Sequence, residues 1–213
     1  MLRQLFYLLI VKPLVWVVLG INTRNRERLP RQGPAIVVAN HNSHLDALAL
    51  MSLFPQNVVA KVHPVAAADY FFKNRWLKWL ALNIVGIIPI DRNPLTSARD
   101  VLAPIFAALD RHDILIFFPE GTRGEPENFG KMKNGIASII AEHPNVPVIP
   151  VFFYGLGKAL PKGEIILVPF FIDAFVGEPI HWPGNRQEFM EKLNAVMGEL
   201  QAKANRLKNN GGS

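Results

Sequence analysis

Ala39-Asn40-His41-Asn42-Ser43-His44-Leu45-Asp46 sets a histidine and a carboxylate four intervening residues apart, directly after the apolar run from Ala35 to Ala39. A neutral imidazole can take a proton from a hydroxyl. A carboxylate on its other ring nitrogen fixes the tautomer and stabilises the imidazolium that forms. General-base help of this kind is worth about 100- to 10,000-fold in rate. The same residues admit a structural reading. Ser43-His44-Leu45-Asp46 has the form of a capping box, in which Asp46 caps a helix and His41 is a hydrogen-bonded loop residue. A metal reading also exists, because His41, His44 and Asp46 are close in sequence. A catalytic zinc usually takes three protein ligands and a water. No helical pair of histidines with an acidic partner occurs, and His63, His112, His143 and His181 sit in unrelated contexts. No metal is assigned.

A second segment, Phe118-Pro119-Glu120-Gly121-Thr122-Arg123, ends the apolar run from Ile114. Glycine at 121 permits a tight turn whose peptide N–H groups can face a ligand. Arg123 can grip a phosphate through two parallel hydrogen bonds, and Lys131 and Lys133 add positive charge nearby. Ile90-Asp91-Arg92 ends a third apolar run and offers another arginine. Either segment alone reads as a strand-end turn with a surface arginine. Together with the His/Asp pair they suggest acyl transfer to a phosphorylated alcohol. There is no Gly-x-Ser-x-Gly nucleophile elbow and no Gly-Lys-Ser/Thr phosphate loop, so direct transfer is more economical than a covalent enzyme intermediate.

The elements that must position these residues follow from pattern. The 213 residues contain no second core and no repeat, so one domain is expected. Short apolar strands are predicted over 35–39, 58–61, 86–90, 114–118, 148–153 and 165–176, the last broken by Gly163 and Pro169 at its start. Helices are predicted over 43–53 with Ser43 as N-cap, 69–82, 97–109 with a Ser97/Asp100 capping box and Pro104 inside, 134–142, and 187–208. The 69–82 segment carries Phe71, Phe72, Trp76 and Trp79 among Lys73, Arg75 and Lys78. The 187–208 segment carries Phe189, Leu193, Val196, Leu200 and Leu207 near helical spacing. Strands alternating with helices indicate an α/β fold, a largely parallel central sheet flanked by helices. In such a sheet the His/Asp, Gly-Thr-Arg and Asp-Arg segments all leave carboxyl ends of strands, where ligands gather. The division expected is an N-terminal membrane-associating segment (1–30), the catalytic domain (31–208) and a disordered tail (209–213).

Hydrophobic residues make up 50% of the chain, charged residues 19%, and the net charge is +6. An apolar, basic chain suits an anionic membrane surface or phosphorylated ligands. No nucleic-acid motif is present, and no nucleic acid is expected as a partner. Cysteine is absent, which excludes disulfides, thiolate metal sites and a cysteine nucleophile. Leu5 to Ile21 is apolar apart from Lys12, beside Pro13. A helix of that length reaches about 25 Å, short of the roughly 30 Å hydrocarbon core. Proline would kink or divide it, and a mid-span lysine must snorkel. No small-residue cleavage site follows. Arg24, Arg26 and Arg28 would hold that side in the cytoplasm. The segment reads as a peripheral or half-embedded anchor at the cytoplasmic face of the cell membrane, or alternatively as a buried core helix.

Four blocks in order carry a resemblance: His41 to Asp46, Gly86 to Arg92, Phe118 to Arg123, and Val146 to Val151. They resemble the glycerolipid acyltransferases, and most of all the 1-acylglycerol-3-phosphate (lysophosphatidic acid) acyltransferase branch. The resemblance implies His41 as general base and Asp46 as its partner. It implies acceptor-phosphate binding by Arg92, Glu120, Gly121, Thr122 and Arg123, with Lys131 near, and Pro150 at the acyl-donor site. It implies no cofactor. The partners it implies are lysophosphatidic acid or a related lysolipid, an acyl thioester of coenzyme A or acyl carrier protein, and a membrane. Pro89 and Asp91 depart from the second block's usual pattern, and the N-terminal segment is shorter than the family's usual helical pair.

Overall fold

The structure, a computed structural model, describes residues 2–210 apart from 44, 72–73, 92–94, 123, 125–127 and 160–170. His44, Phe72, Lys73, Arg92, Arg123, Gly163, Pro169 and the last three residues of the expected tail therefore lie outside the described residues. Seven strands form one sheet: β1 (Ile21–Arg24), β2 (Ala35–Ala39), β3 (Val62–Ala67), β4 (Ile88–Ile90), β5 (Ile114–Phe117), β6 (Val148–Tyr154) and β7 (Ile172–Val176). Their order is β1-β7-β6-β2-β5-β3-β4. Every pairing is parallel except β6 with β7. The helices are α1 (Leu2–Phe6), α2 (Asp46–Ser52), α3 (Ala68–Phe71), α4 (Arg75–Leu80), α5 (Ala98–Asp110), α6 (Gly135–Glu142), α7 (Leu156–Ala159) and α8 (Arg186–Asn210).

β2 is central and buried along its whole length, as a strand covered on both faces must be. Val37 and Ala39 face a core shared with Tyr7, Val11, Val15, Leu50 and Met51. Ile36 and Val38 face the opposite core, filled by Ile105 of α5, Ile136 and Ile140 of α6, and Phe189 and Leu193 of α8. The sheet is thus sandwiched between α2 with the N-terminal helix and the α5/α6/α8 layer. The α8 stripe continues through Met197, Leu200 and Ala204, whereas Leu207 is exposed.

Several boundaries move for physical reasons. The strand expected over 58–61 is a 3-10 turn, Val59–Lys61, and β3 starts at Val62. Pro64 interrupts the apolar pattern there, and proline argues against an interior strand in a sequence reading. The helix expected over 69–82 is two helices, α3 and α4, then a π-turn, Ala81–Val85, that ends at Gly86. Asn74 starts α4 afresh, its side chain accepting from the Trp76 N–H at 2.9 Å. Of the strand expected over 165–176, the described part is β7, and α8 runs two residues past 208. The Ser97/Asp100 cap is present, with Ser97 Oγ accepting from the Asp100 N–H.

The N-terminal segment is helical throughout residues 2–18, with π-helical stretches Tyr7–Val11 and Leu14–Val18 on either side of Pro13. Wider π-turns on both sides carry the helix past the proline undivided. The segment has one buried face and one exposed apolar face. Tyr7, Val11, Val15 and Leu19, spaced by four, are buried, while Leu5, Leu9, Ile10 and Val17 are exposed. Arg3 locks the start by donating to the carbonyls of Ala60 and Val62, and Tyr7 Oη donates to Met51 Sδ at 2.8 Å. The chain then enters the sheet as β1 at its edge, pairing with β7. Arg24, Arg26 and Arg28 are built into this region. Arg28 binds the Val176 carbonyl and Glu178, and Arg24 lies over the Phe175 ring. Among the described residues no helix is long and apolar enough to cross a membrane.

Pro150 lies within β6, paired in register with Val38. A Cβ at Gly177 would stand 2.7 Å from Pro150 Cγ and 3.3 Å from Leu200 and Val196 of α8. Gly177→Ala should therefore overpack this layer and lower stability by about 1–3 kcal/mol, measured as a fall in the denaturant midpoint at unchanged slope.

Candidate active site

The site forms where β2 and β5, adjacent in the sheet, end side by side. Asn40 closes the β2 ladder with its side chain: Oδ1 accepts from the Phe153 N–H at 2.7 Å and Nδ2 donates to the Phe153 carbonyl at 2.9 Å. The main chain can then leave the sheet one residue before His41. Asp46 opens α2 and is fully buried. Its Oδ2 accepts from His41 Nδ1 at 2.9 Å, from the Asn42 N–H at 2.6 Å and from the Ser43 N–H at 2.8 Å. The expected Ser43 cap is not what starts α2: Leu45 stands at its N-cap position without a side-chain cap, and Asp46, the first helical residue, reaches back to the loop and orients the histidine. With the proton on Nδ1, drawn by the carboxylate, the basic lone pair of His41 sits on Nε2. The ring stacks on Phe118, with centroids 4.5 Å apart and planes 27° from parallel.

Glu120, expected at the acceptor phosphate, has both carboxylate oxygens engaged by backbone amides. It is buried. Oε1 accepts from the His41 N–H at 2.9 Å, and Oε2 accepts from the Gly130 N–H at 3.2 Å. The carboxylate ties the β2 loop to the β5 loop, and the Gly124 N–H reinforces the tie by donating to the His41 carbonyl at 2.9 Å. Burial raises the Glu120 pKa, outweighing the bonds from His41 and Gly130 and the attraction of the His41 ring; Asp46 pushes in the same direction as burial. Gly121 has φ +72°, a region glycine enters without steric cost. Its N–H closes a turn onto the Phe118 carbonyl at 3.1 Å, so that group serves the loop. A Cβ there would lie 2.9 Å from Lys133 Nζ. Lys133, whose N–H donates to the Pro119 carbonyl, thus brings an ammonium across the turn.

Of the residues singled out in the sequence, His41, Asp46, Glu120 and Gly121 meet at this corner. Thr122 and Lys131 are exposed along the same loop. Pro150 is buried inside the sheet under α8, on the face opposite the His41-side core, and does not line the corner. Arg92 and Arg123 lie outside the described residues; their neighbours place the two segments differently. Gly124 is bonded to His41, whereas β4, which precedes Asp91, is the sheet's edge strand, two positions from β5. Lys133, expected as added positive charge, joins the corner, and Asn40, Phe118 and Gly130 complete it without having been assigned roles in the sequence. A polar residue at the last step of a buried strand was the one legible signal, at Asn40. Among the described residues no group of three or more His, Cys, Asp or Glu is placed to hold a metal.

Residues 20–154, which include the dyad and the Glu-Gly-Thr turn, match a family model described as Acyltransferase. The chain belongs to the Acyltransferase family. Similar proteins include the chloroplastic 1-acyl-sn-glycerol-3-phosphate acyltransferase of Arabidopsis thaliana, 32% identical over 163 residues, 76% of this chain and 44% of that one. Another is the 1-acyl-sn-glycerol-3-phosphate acyltransferase alpha of Mus musculus, 32% identical over 132 residues, 62% of this chain and 44% of that one. The chain thus spans about half the length of the curated relatives it matches. The crystal structure of the 1-acyl-sn-glycerophosphate acyltransferase PlsC from Thermotoga maritima shares the fold, with a TM-score of 0.67 at 21% identity, covering 90% of this chain and 78% of that one. In this acyltransferase-family chain the matched region runs from β1's approach to the end of β6.

Two structural outcomes follow. Asp46→Asn puts an amide where three donors converge on one anionic oxygen, and should cost about 1–3 kcal/mol of stability, read by chemical denaturation. For Glu120 the folded pKa lies above the ordinary 4.5, so the folded state holds the proton more tightly than the unfolded chain. Its contribution is fully present below that ordinary value and is lost as pH rises through the raised one. Glu120→Gln should flatten this decline relative to the parent protein in denaturation curves taken upward from pH 4.5.

Proposed function

We propose that the protein transfers an acyl group from an acyl thioester, of coenzyme A or acyl carrier protein, to the free hydroxyl of 1-acylglycerol 3-phosphate, giving phosphatidic acid. The observation that carries this reading is the His41–Asp46 dyad, with its basic nitrogen fixed as Nε2, at a corner the family match covers. Nε2 takes the hydroxyl proton as the oxygen attacks the thioester carbonyl. Asp46 stabilises the imidazolium that forms. The tetrahedral intermediate collapses, the carbon–sulfur bond breaks, and the proton passes from Nε2 to the departing thiolate. The names of the similar enzymes support the acceptor, and a cationic loop with Lys133 across Gly121 and Lys131 near suits a phosphate monoester. Arg123, next to Gly124 in the chain, is assigned to grip that phosphate.

The same proposal holds the enzyme peripherally at a membrane surface, its cytoplasmic face by the charge pattern. Exposed Leu5, Leu9, Ile10 and Val17 on the N-terminal helix support it. So do Trp76, 81% exposed, and Trp79, 48% exposed, on α4 together with exposed Arg75 and Lys78. Aromatic rings and cations mixed on one helix suit the headgroup layer.

The deciding assay offers purified protein several lysolipids against one acyl thioester. Lysophosphatidic acid should be acylated fastest, and a faster lyso-aminolipid or lysophospholipid would overturn the acceptor. His41→Ala should cut turnover about 100- to 10,000-fold with the fold intact. Arg123→Ala should raise the acceptor KM about tenfold or more with the donor KM unchanged, and Arg123→Lys should restore it only in part, because lysine lacks the planar fork. Leu9→Asn with Val17→Asn removes apolar surface without touching the core, and should weaken vesicle partitioning about tenfold; unchanged flotation would remove the helix from the membrane.

A further inference from the structure

Lys12 is a half-buried cation in the middle of an otherwise apolar helix. Among the described residues its ammonium has neither a hydrogen bond nor an ion pair. Beside it opens a groove of about 460 Å³, walled by Leu8, Trp16 and Val17, carrying Lys12 and Arg26, and reaching Ser52 at the end of α2. No acidic residue lines it. Arg26 is held from two sides. Its Nε donates to the Leu53 carbonyl at 2.8 Å, and its guanidinium stacks over the Trp16 ring at 4.9 Å from the centroid. Its two terminal nitrogens have no partner among the described residues. Burial pushes its pKa down, as expected of a cation partly stripped of water with no anion beside it.

We propose that this groove binds one anionic phospholipid of the bilayer, its phosphate between Lys12 and Arg26 and its glycerol and first acyl carbons along Leu8, Trp16 and Val17. A fixed arginine fork with a lysine beside it is suited to a phosphate. The volume is that of a small-ligand site. The apolar walls join the exposed face that carries Leu5, Leu9 and Val17, which gives acyl carbons a continuous path and gives a free phosphate ion nothing further to contact. The site is separate from the dyad. α2 begins at Asp46 and ends at Ser52, so the groove opens about 9 Å along that helix from the catalytic pair. The proposal rests on the membrane placement above.

The test titrates the full chain with dihexanoyl phosphatidylglycerol below its critical micelle concentration, with dihexanoyl phosphatidylcholine and inorganic phosphate as parallel ligands. Binding should be one to one for phosphatidylglycerol and at least about tenfold weaker for the other two. Lys12→Gln and Arg26→Gln should each weaken it about five- to tenfold, while Arg75→Gln with Lys78→Gln leaves it unchanged. Lys12→Gln breaks no contact, so the test stands even if Arg26→Gln fails to fold. Acyl transfer to monomeric short-chain acceptor should be unaltered in Lys12→Gln. Equal binding of the choline lipid or of phosphate, or full binding by Lys12→Gln, overturns the site. Flotation separates the two readings. A parent protein that floats with neither zwitterionic nor anionic vesicles overturns the membrane placement and this site with it. A parent that floats while Lys12→Gln binds phosphatidylglycerol normally overturns the site alone.

Discussion

One carboxylate oxygen organises the corner where β2 and β5 end. Asp46 Oδ2 takes the His41 ring and the Asn42 and Ser43 amides together. An ionised carboxylate with no exposure is costly unless its lone pairs are engaged, so the loop that brings those three donors to it is the conformation that makes its burial tolerable. The histidine tautomer, the chain's exit from β2 and the first turn of α2 are fixed by the same set of bonds. Histidine orientation and loop conformation, separate matters in the sequence, are one arrangement in space.

A second buried carboxylate extends that constraint to the next strand. Glu120 joins the His41 and Gly130 amides, so the β5 loop cannot shift without disturbing the backbone of His41. Glu120 therefore holds the His41 backbone in place from behind. Its raised pKa expresses the desolvation cost of that role. The N-terminal helix shows the same economy at larger scale. A single element closes one face of the core through Tyr7, Val11 and Val15 and leaves its other apolar face open.

What was legible in the sequence was local. β2, β5, β6 and the helices α5, α6 and α8 follow from apolar runs and caps, whereas α7 was not foreseen, and the four motif blocks carry the family. What escaped depended on partners distant in the chain. β1 has Ile21 as its only apolar residue and exists because β7 offers it a parallel edge. β3 carries Pro64 and is held between β5 and β4. The long aromatic helix divides because Asn74 caps a new start. The role of Glu120 needed the Gly130 amide, ten residues on, folded back beside it. Pro150 sits in the right block of sequence but under α8, because β6 is buried on both faces.

The two carboxylates also set an electrostatic condition on the substrate. Asp46 and Glu120 each interact with His41, and Asp46 disfavours ionisation of Glu120. A phosphate approaching this corner meets a negative background on the protein side. The amides of His41, Asn42, Ser43, Gly121 and Gly124 cannot offset it, since each already donates within the scaffold. Attraction must come from side-chain cations, and the tight left-handed turn at Gly121 is what lets Lys133 lie across the loop beside them. Any side chain at 121 would push that ammonium away. The glycine in the Glu-Gly-Thr turn thus serves electrostatics as well as backbone geometry, since it leaves room for the Lys133 ammonium across the turn.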